Sequence, residues 1–399
     1  MNMRFASSIT SNGTLSEAFA ELLTPLDQRV TLGMVDLAIL FVTAHFEDDL
    51  PEIVEAVGTK MPGAAFLGCT AEGTIGLNQE LEGMPSMSLL VASLPGVRVA
   101  PFHLTEEELA AAESAMDWER IVSVLPESDP TFIALADPFR FAIHEFVERI
   151  NETYPGAPLF GGVASAGRMP GENRLIVGDA IHTEGAVGVA LTGNLTVEPV
   201  VSQGCRPIGK PFVVTKGERN VIVELGGLPP LAQLHDVLVG LSEDEEKLAR
   251  ESLFVGRVID EHKEQFLRGD FLIHNIMGVD RKSGALAMAG HARVGATVQF
   301  HVRDAASADE DLRKLLAAHA ETSVAGAVIF GCNGRGTNMW PQAGHDAGVL
   351  REVLGDIPVA GCFCGGEFGP VGGKNFIHGF TASIALFKQR QVDAAQGEI

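Results

Sequence analysis

Asp36-Leu37-Ala38-Ile39-Leu40-Phe41-Val42-Thr43-Ala44 is an apolar run of strand-forming residues. The amphipathic stretch Asp48 to Lys60 follows it, and then a second apolar run, Ala64 to Gly68, breaks into Gly68-Cys69-Thr70-Ala71-Glu72-Gly73. Two parallel strands need a crossover of a dozen or more residues, usually a helix, so this order predicts a β-α-β unit. The pattern returns from Thr131-Phe132-Ile133-Ala134-Leu135, through a helix near Phe139 to Glu152, into Pro158-Leu159-Phe160-Gly161-Gly162-Val163-Ala164-Ser165-Ala166-Gly167. It returns again from Ala327-Val328-Ile329-Phe330-Gly331-Cys332-Asn333-Gly334-Arg335-Gly336, through a helix from about Asp346 to Leu354, into Val359-Ala360-Gly361-Cys362-Phe363-Cys364-Gly365-Gly366-Glu367-Phe368-Gly369-Pro370.

Alternating segments between the copies read as antiparallel strands: Ser86 to Ser93 with Val97 to His103, Ala186 to Leu191 with Leu195 to Val201, Gly284 to Ala289 with Thr297 to Val302, and Phe380 to Phe387. The connectors Leu94-Pro95-Gly96 and Thr192-Gly193-Asn194 carry hairpin chemistry. Hydroxyl and carboxylate residues three apart predict capping boxes at Thr105/Glu108, Ser242/Glu245 and Ser307/Glu310. The fold class expected is α/β, with two related halves whose mixed sheets are built from β-α-β units plus antiparallel hairpins. The breaker-rich stretch from Gly204 to Pro230 sets the expected division: 1–205, a linker at 206–232, and 233–399.

The chain of 399 residues carries a formal charge of −23, with no basic block. That field repels phosphate backbones and anionic lipid, which argues against nucleic acid or membrane as partner. The longest apolar segment, Leu37 to Val42, is too short to span a bilayer, and the N-terminus lacks a secretory pattern. Five cysteines without a Cys-x-x-Cys pair fit a reducing cytoplasm.

Glycine turns at strand ends are where open α/β sheets bind ligands, because backbone amides converge there. Four such turns offer candidate ligand residues: Gly68, Cys69 and Glu72; Ser165 and Arg168; Asn333 and Arg335; Gly361, Cys362, Cys364 and Glu367. In one cleft they suit a small zwitterion. The Gly68 and Gly361 amides hold its anionic group with Arg335 or Arg168 as counter-charge, while Glu72 or Glu367 faces its cation. A ligand bridging both halves then selects their closed arrangement. Phosphate-loop, serine-hydrolase and zinc-protease signatures are absent, and no catalytic residue, metal or cofactor is assigned. Two alternatives remain open. Cys362 and Cys364 form a possible reactive thiol pair for an enzyme or redox switch. His274, within an apolar run beside Met277, is a candidate axial ligand of haem.

The turn Phe66-Leu67-Gly68-Cys69-Thr70-Ala71-Glu72-Gly73, the strand exit Pro158-Leu159-Phe160-Gly161-Gly162, the segment Gly278-Val279-Asp280 and the run Gly361-Cys362-Phe363-Cys364-Gly365-Gly366-Glu367-Phe368-Gly369-Pro370 resemble the FIST (F-box and intracellular signal transduction) family. The resemblance extends from about Met3 to Phe387 and implies tandem N- and C-terminal domains. It implies a sensory role, in which small ligands such as amino acids are bound in bacterial signalling. One branch of the family resembles haem proteins that sense nitric oxide, and a eukaryotic branch carries an F-box. No F-box is expected before Met3, and no kinase, cyclase or membrane segment after Ile399. The expectation is a non-catalytic cytoplasmic sensor of a small metabolite, whose signal leaves through a separate protein acting in trans.

Overall fold

The computed structural model describes residues 2–390. Contacts divide the chain into two compact units. One holds residues 2–201, Leu312–Ile377 and residues 382–390, and the other holds Ser202–Asp311 with His378–Thr381.

The first unit repeats one order of elements three times. The first copy is β1 (Arg4–Thr10), α1 (Leu15–Asp27), β2 (Leu37–Thr43), α2 (Leu50–Lys60), β3 (Ala65–Ala71), β4 (Gly73–Gly76), β5 (Gln79–Glu82) and β6 (Met87–Ser93). The second is β7 (Val97–Leu104), α3 (Glu106–Ala111), α4 (Ala115–Val122), β8 (Thr131–Ala136), α5 (Ile143–Thr153), β9 (Leu159–Val163), β10 (Leu175–Val177), β11 (Ala180–His182) and β12 (Ala186–Gly193). The third opens with β13 (Leu195–Gln203) and is then interrupted. The insertion is β14 (Cys205–Glu218), β15 (Val221–Leu225), α6 (Pro230–Val239), α7 (Glu243–Glu251), β16 (Leu253–Val258), β17 (Phe271–Val279), β18 (Leu286–Met288) and β19 (Thr297–Arg303). The copy resumes with α8 (Ala305–Ala317), β20 (Gly326–Cys332), α9 (His345–Leu354), β21 (Val359–Cys364), β22 (Glu367–Val371), β23 (Lys374–His378) and β24 (Thr381–Gln389).

All three β-α-β expectations hold: β2 pairs parallel with β3, β8 with β9 and β20 with β21. Each copy builds a six-stranded mixed sheet around its parallel pair, and the outer hairpin of every sheet comes from another copy. The orders are β1-β6-β2-β3-β10-β11, β7-β12-β8-β9-β22-β23 and β13-β24-β20-β21-β4-β5. The first copy thus lends β4–β5 to the third, the second lends β10–β11 to the first, and the third lends β22–β23 to the second. The exchange is cyclic. The lent hairpins close on two-residue turns, as at Gly372-Gly373, whose φ values of 60° and 78° match the left-handed backbone of a type I′ turn.

The parallel strands are apolar throughout because each is buried on both faces. On β2, Ile39 and Phe41 point into a core shared by the three sheets, with Ile133 and Leu135 of β8 and Val328 and Phe330 of β20. The alternate residues pack outward under each copy's helices: Leu40 and Val42 with Leu22 and Ile53, Phe132 with Phe146 and Trp118, and Ile329 with Leu312 and Leu350.

Several local expectations are corrected. The Leu94-Pro95-Gly96 connector closes a local turn and the Asn194 amide of the Thr192-Gly193-Asn194 connector donates to the Gly96 carbonyl, yet β6 and β7, and likewise β12 and β13, enter different sheets. Turn chemistry reverses the chain locally, but burial of each strand's apolar face selects its partner. β18 and β19 also lack mutual pairing; β18 lies between β15 and β17, and β19 between β14 and β16. The capping boxes at Thr105/Glu108 and Ser242/Glu245 form. Ser307/Glu310 does not, because α8 starts earlier and Asp304 accepts from the Ser307 amide at 3.3 Å.

The second unit is a closed barrel, β14-β15-β18-β17-β16-β19. β14 closes it by pairing with β19 through its first half and β15 through its second, and its register shifts between Ile208 and Phe212. Residues 206–232, read from the sequence as linker, therefore lie in β14, β15 and the start of α6.

Candidate functional site

The second parallel strand of each copy carries a glycine at one shared register: Gly68 opposite Leu40, Gly161 opposite Ala134 and Gly361 opposite Ile329. A Cβ at these glycines would stand 2.5, 1.8 and 2.0 Å from the facing carbonyl oxygen. The glycines therefore permit close strand approach. On their other side they meet the lent hairpins at Ile176, Phe368 and Ile75. The main chain of Gly68 and Gly361 is enclosed in a sheet on both sides, which overturns their expected role as anion donors.

Cys69, Cys362 and Cys364 project into the shared core at 1% exposure each. The Cys362 and Cys364 sulfurs are 3.6 Å apart. Burial, reinforced by the neighbouring Cys364 and Cys69 thiols, pushes the Cys362 pKa well up. For Cys364 the hydrogen bond with Cys362 acts downward, but burial with Cys69 and Glu367 nearby leaves it raised. Such thiols stay protonated at neutral pH, so the reactive pair is corrected to a core contact.

Arg335 is also withdrawn from solvent. Its Nε and Nη2 donate to the two Asp346 carboxylate oxygens at 2.6 and 2.8 Å, with both residues buried. Its charge is committed to that pair. Glu367, opposite Gly162 on β22, is fully buried as well. His274 does not match the expected haem ligand. Its imidazole lies against Gly290, and along β17 the neighbouring Asn275 and Met277 are exposed, so the run forms no apolar cradle.

Four predicted residues do come together where the copies meet. Ser165 Oγ accepts from the Glu72 amide at 3.0 Å and donates to the Phe363 carbonyl at 2.7 Å, tying the three strand exits together. Arg168 extends to within 3.8 Å of the Glu72 carboxylate; both side chains are largely exposed. The Asn333 amide donates to the Cys364 carbonyl, and Gly365 donates to the Val163 carbonyl at 3.0 Å. The Asn333 Oδ1 is buried and has no hydrogen-bond partner among the described residues. An acceptor without a donor is costly away from water, so Asn333 is ready to receive one. The first copy thus contributes Glu72, the second Ser165 and Arg168, and the third Asn333.

The chain belongs to the FIST family. A FIST N domain matches residues 36–228 and a FIST C domain residues 230–370. The N domain holds two of the β-α-β units, and the C domain holds the third with most of the barrel. Uncharacterized proteins of Mycobacterium tuberculosis (strain ATCC 25618 / H37Rv) and Mycobacterium bovis are similar. The first is 38% identical over 96% of this chain and 100% of its own length, the second 40% over 88% and 90%. A cyanuric acid hydrolase structure from A. caulinodans aligns over 98% of this chain and 99% of its own at 8% identity, with a TM-score of 0.36, a likeness too loose to carry chemistry. FIST domains are in general sensor domains of signal transduction that bind small ligands. No helix among the described residues is long and apolar enough to cross a membrane.

A cluster that sequence reasoning missed lies at the start of α9. Glu80, on a hairpin lent by the first copy, accepts from the Asp346 and Ala347 amides at the start of α9 at 2.8 and 3.0 Å. No motif links residues so far apart in sequence; only the hairpin exchange brings them together.

Proposed function

We propose that the protein is a non-catalytic sensor that binds a small zwitterionic metabolite, of the amino acid type, at the meeting of its three strand exits. The Asn333 Oδ1 and the Glu72 carboxylate accept from the ligand's ammonium, Arg168 pairs with its carboxylate, and Ser165 holds the exits in register. The observation that carries this reading is the convergence of Ser165, which takes the Glu72 amide, and of Asn333 on the Phe363–Cys364 carbonyls, with a buried acceptor left without a donor. A ligand there touches all three copies and favours the arrangement in which it fits, and a separate signalling protein reads that state. The charge of −23 disfavours nucleic acid and anionic membrane as that partner. Five free thiols suit a reducing cytoplasm.

A thermal-shift screen of amino acids and related metabolites tests the proposal. At about 100 times its dissociation constant a ligand adds about 2.7 kcal/mol. Asn333→Ala and Glu72→Gln should each abolish the shift while leaving the unliganded melting temperature near that of the parent. A stabilising ligand that binds both variants as well as the parent would place the site elsewhere, and a screen without any stabiliser would end the reading.

A further inference from the structure

The connection from β9 to β10 covers residues 164–174, whereas its equivalents are residue 72 alone in the first copy and residues 365–366 in the third. Connections carried on a rigid scaffold are where binding residues gather. This one holds Ser165 and Arg168 and folds back on itself. The Asn173 Oδ1 accepts from the Gly167 amide at 2.8 Å, and the Glu172 carboxylate accepts from the Arg168 and Met169 amides at 2.7 and 2.9 Å. Glycine at 167 permits the fold-back, since a Cβ there would stand 2.5 Å from the Glu172 Cβ and 3.0 Å from the Asn173 nitrogen. Arg174 then pairs with Thr70, its amide donating to the Thr70 Oγ1 and its carbonyl accepting from the Thr70 amide, each at 2.9 Å. Continuing the β3–β10 register sets Asn173 opposite Ala71, the residue before Glu72.

Two side chains at 0% exposure flank the Ser165 exit, Asp137 and Asn173. Asp137 follows β8. Its amide donates to the Gly185 carbonyl, and the Ala164 amide donates to the Ala136 carbonyl, so Asp137 stands beside Ala164. Its Oδ2 accepts from the Phe139 and Arg140 amides at 2.9 and 2.8 Å. Its Oδ1 is buried and has no hydrogen-bond partner among the described residues, and the same holds for the Asn173 Nδ2. In each side chain the bonded atom fixes the rotamer, which leaves the other atom preset, an acceptor on Asp137 and a donor on Asn173.

Buried polar atoms without partners are costly, and these two ask for different complements. An ammonium would pair with Asp137 and leave the Asn173 donor unmet. A carboxylate would meet the Asn173 donor and be repelled by Asp137. A carboxamide offers an N–H to the one and a carbonyl oxygen to the other. We propose that Asp137 and Asn173 read the ligand's side chain, so that the metabolite bound at the strand exits is a carboxamide amino acid, glutamine or asparagine. The inference rests on the site proposed above, in which Glu72, Asn333 and Arg168 hold the head group.

The test is calorimetric titration of the full chain with L-glutamine, L-asparagine, L-glutamate, L-aspartate and L-ornithine. One of the two carboxamides should bind at least about tenfold tighter than the acid of the same length, because a site built to hydrogen-bond a group rejects an analogue that lacks it. Asp137→Asn, which removes the repelling charge, should raise the affinity for that acid and narrow the ratio; a merely structural role for Asp137 would not improve binding of the acid. Should Asp137→Asn fail to fold, Asn173→Asp gives the second readout. It keeps the acceptor for the Gly167 amide but replaces the free donor with an acceptor, and it should weaken carboxamide binding at least about tenfold. An acid or L-ornithine bound as tightly as the carboxamides, or a preference unmoved by both substitutions, would overturn the inference; the head-group site would still stand if Asn333→Ala abolished that binding. Binding of no amino acid at all would end both readings.

Discussion

Replacing Gly361 with Ala tests whether the repeated glycine serves strand approach or ligand capture. The added methyl would stand 2.0 Å from the Ile329 carbonyl oxygen and 2.5 Å from the Ile329 Cγ2, against backbone that has no rotamer in which to escape. β20 and β21 must part at this register, between the shared core and the α8–α9 core. Overpacking of this kind costs about 1–3 kcal/mol, and a backbone clash belongs at the upper end. Gly365→Ala is the control: in the same strand exit its Cβ meets nothing closer than the Val163 Cγ1 at 3.8 Å, and the expected change is under about 0.5 kcal/mol. Urea denaturation followed by circular dichroism reads both as shifts in midpoint at constant slope. A Gly361→Ala protein as stable as the parent would refute the steric argument and return the glycine to the list of ligand residues.

Asp346→Ala should lower stability by about 1–3 kcal/mol, because two buried Arg335 donors lose their acceptors while Glu80 remains as counter-charge; no measurable loss by urea denaturation would show that water reaches the pair. Glu80 ionises near 4.5 in the unfolded chain and near 7 in the fold, so stability should fall by at most about 3 kcal/mol as pH rises through that window, and Glu80→Gln should remove the slope. His301 behaves in the opposite sense: burial holds its pKa down to about 4 from 6.5, so its contribution is present above that window and lost as pH falls through it, with His301→Gln flattening the acid limb. The Cys362 and Cys364 thiols should resist alkylation at neutral pH in the native protein and react once urea unfolds it; rapid native labelling read by mass spectrometry would contradict their burial.

The β-α-β units were legible because each parallel strand lies between two cores, so its whole run is apolar and its crossover carries a helical period. Thr105 and Ser242 were legible as caps because a capping box is local. The hairpins read at Leu94–Gly96 and Thr192–Asn194 were not, since a turn sequence specifies reversal of the chain and not the strand that will lie beside it. Among the candidate site residues, Glu72, Ser165, Arg168 and Asn333 gather at the strand exits, whereas Arg335 is buried against Asp346. An arginine after a glycine turn looks the same in sequence whether it faces solvent or a buried carboxylate.

By itself the sequence determined the family and the three β-α-β units, because these rest on periodicity and on residues adjacent in the chain. Only the tertiary structure decided that the hairpins are exchanged in a cycle, that the barrel interrupts the third copy, and that Glu80 meets Asp346. These depend on which buried surfaces find each other across hundreds of residues. The glycines show both contributions at once: the sequence shows that they recur, and the carbonyl pressed against each of them inside the sheet gives the reason they are glycine.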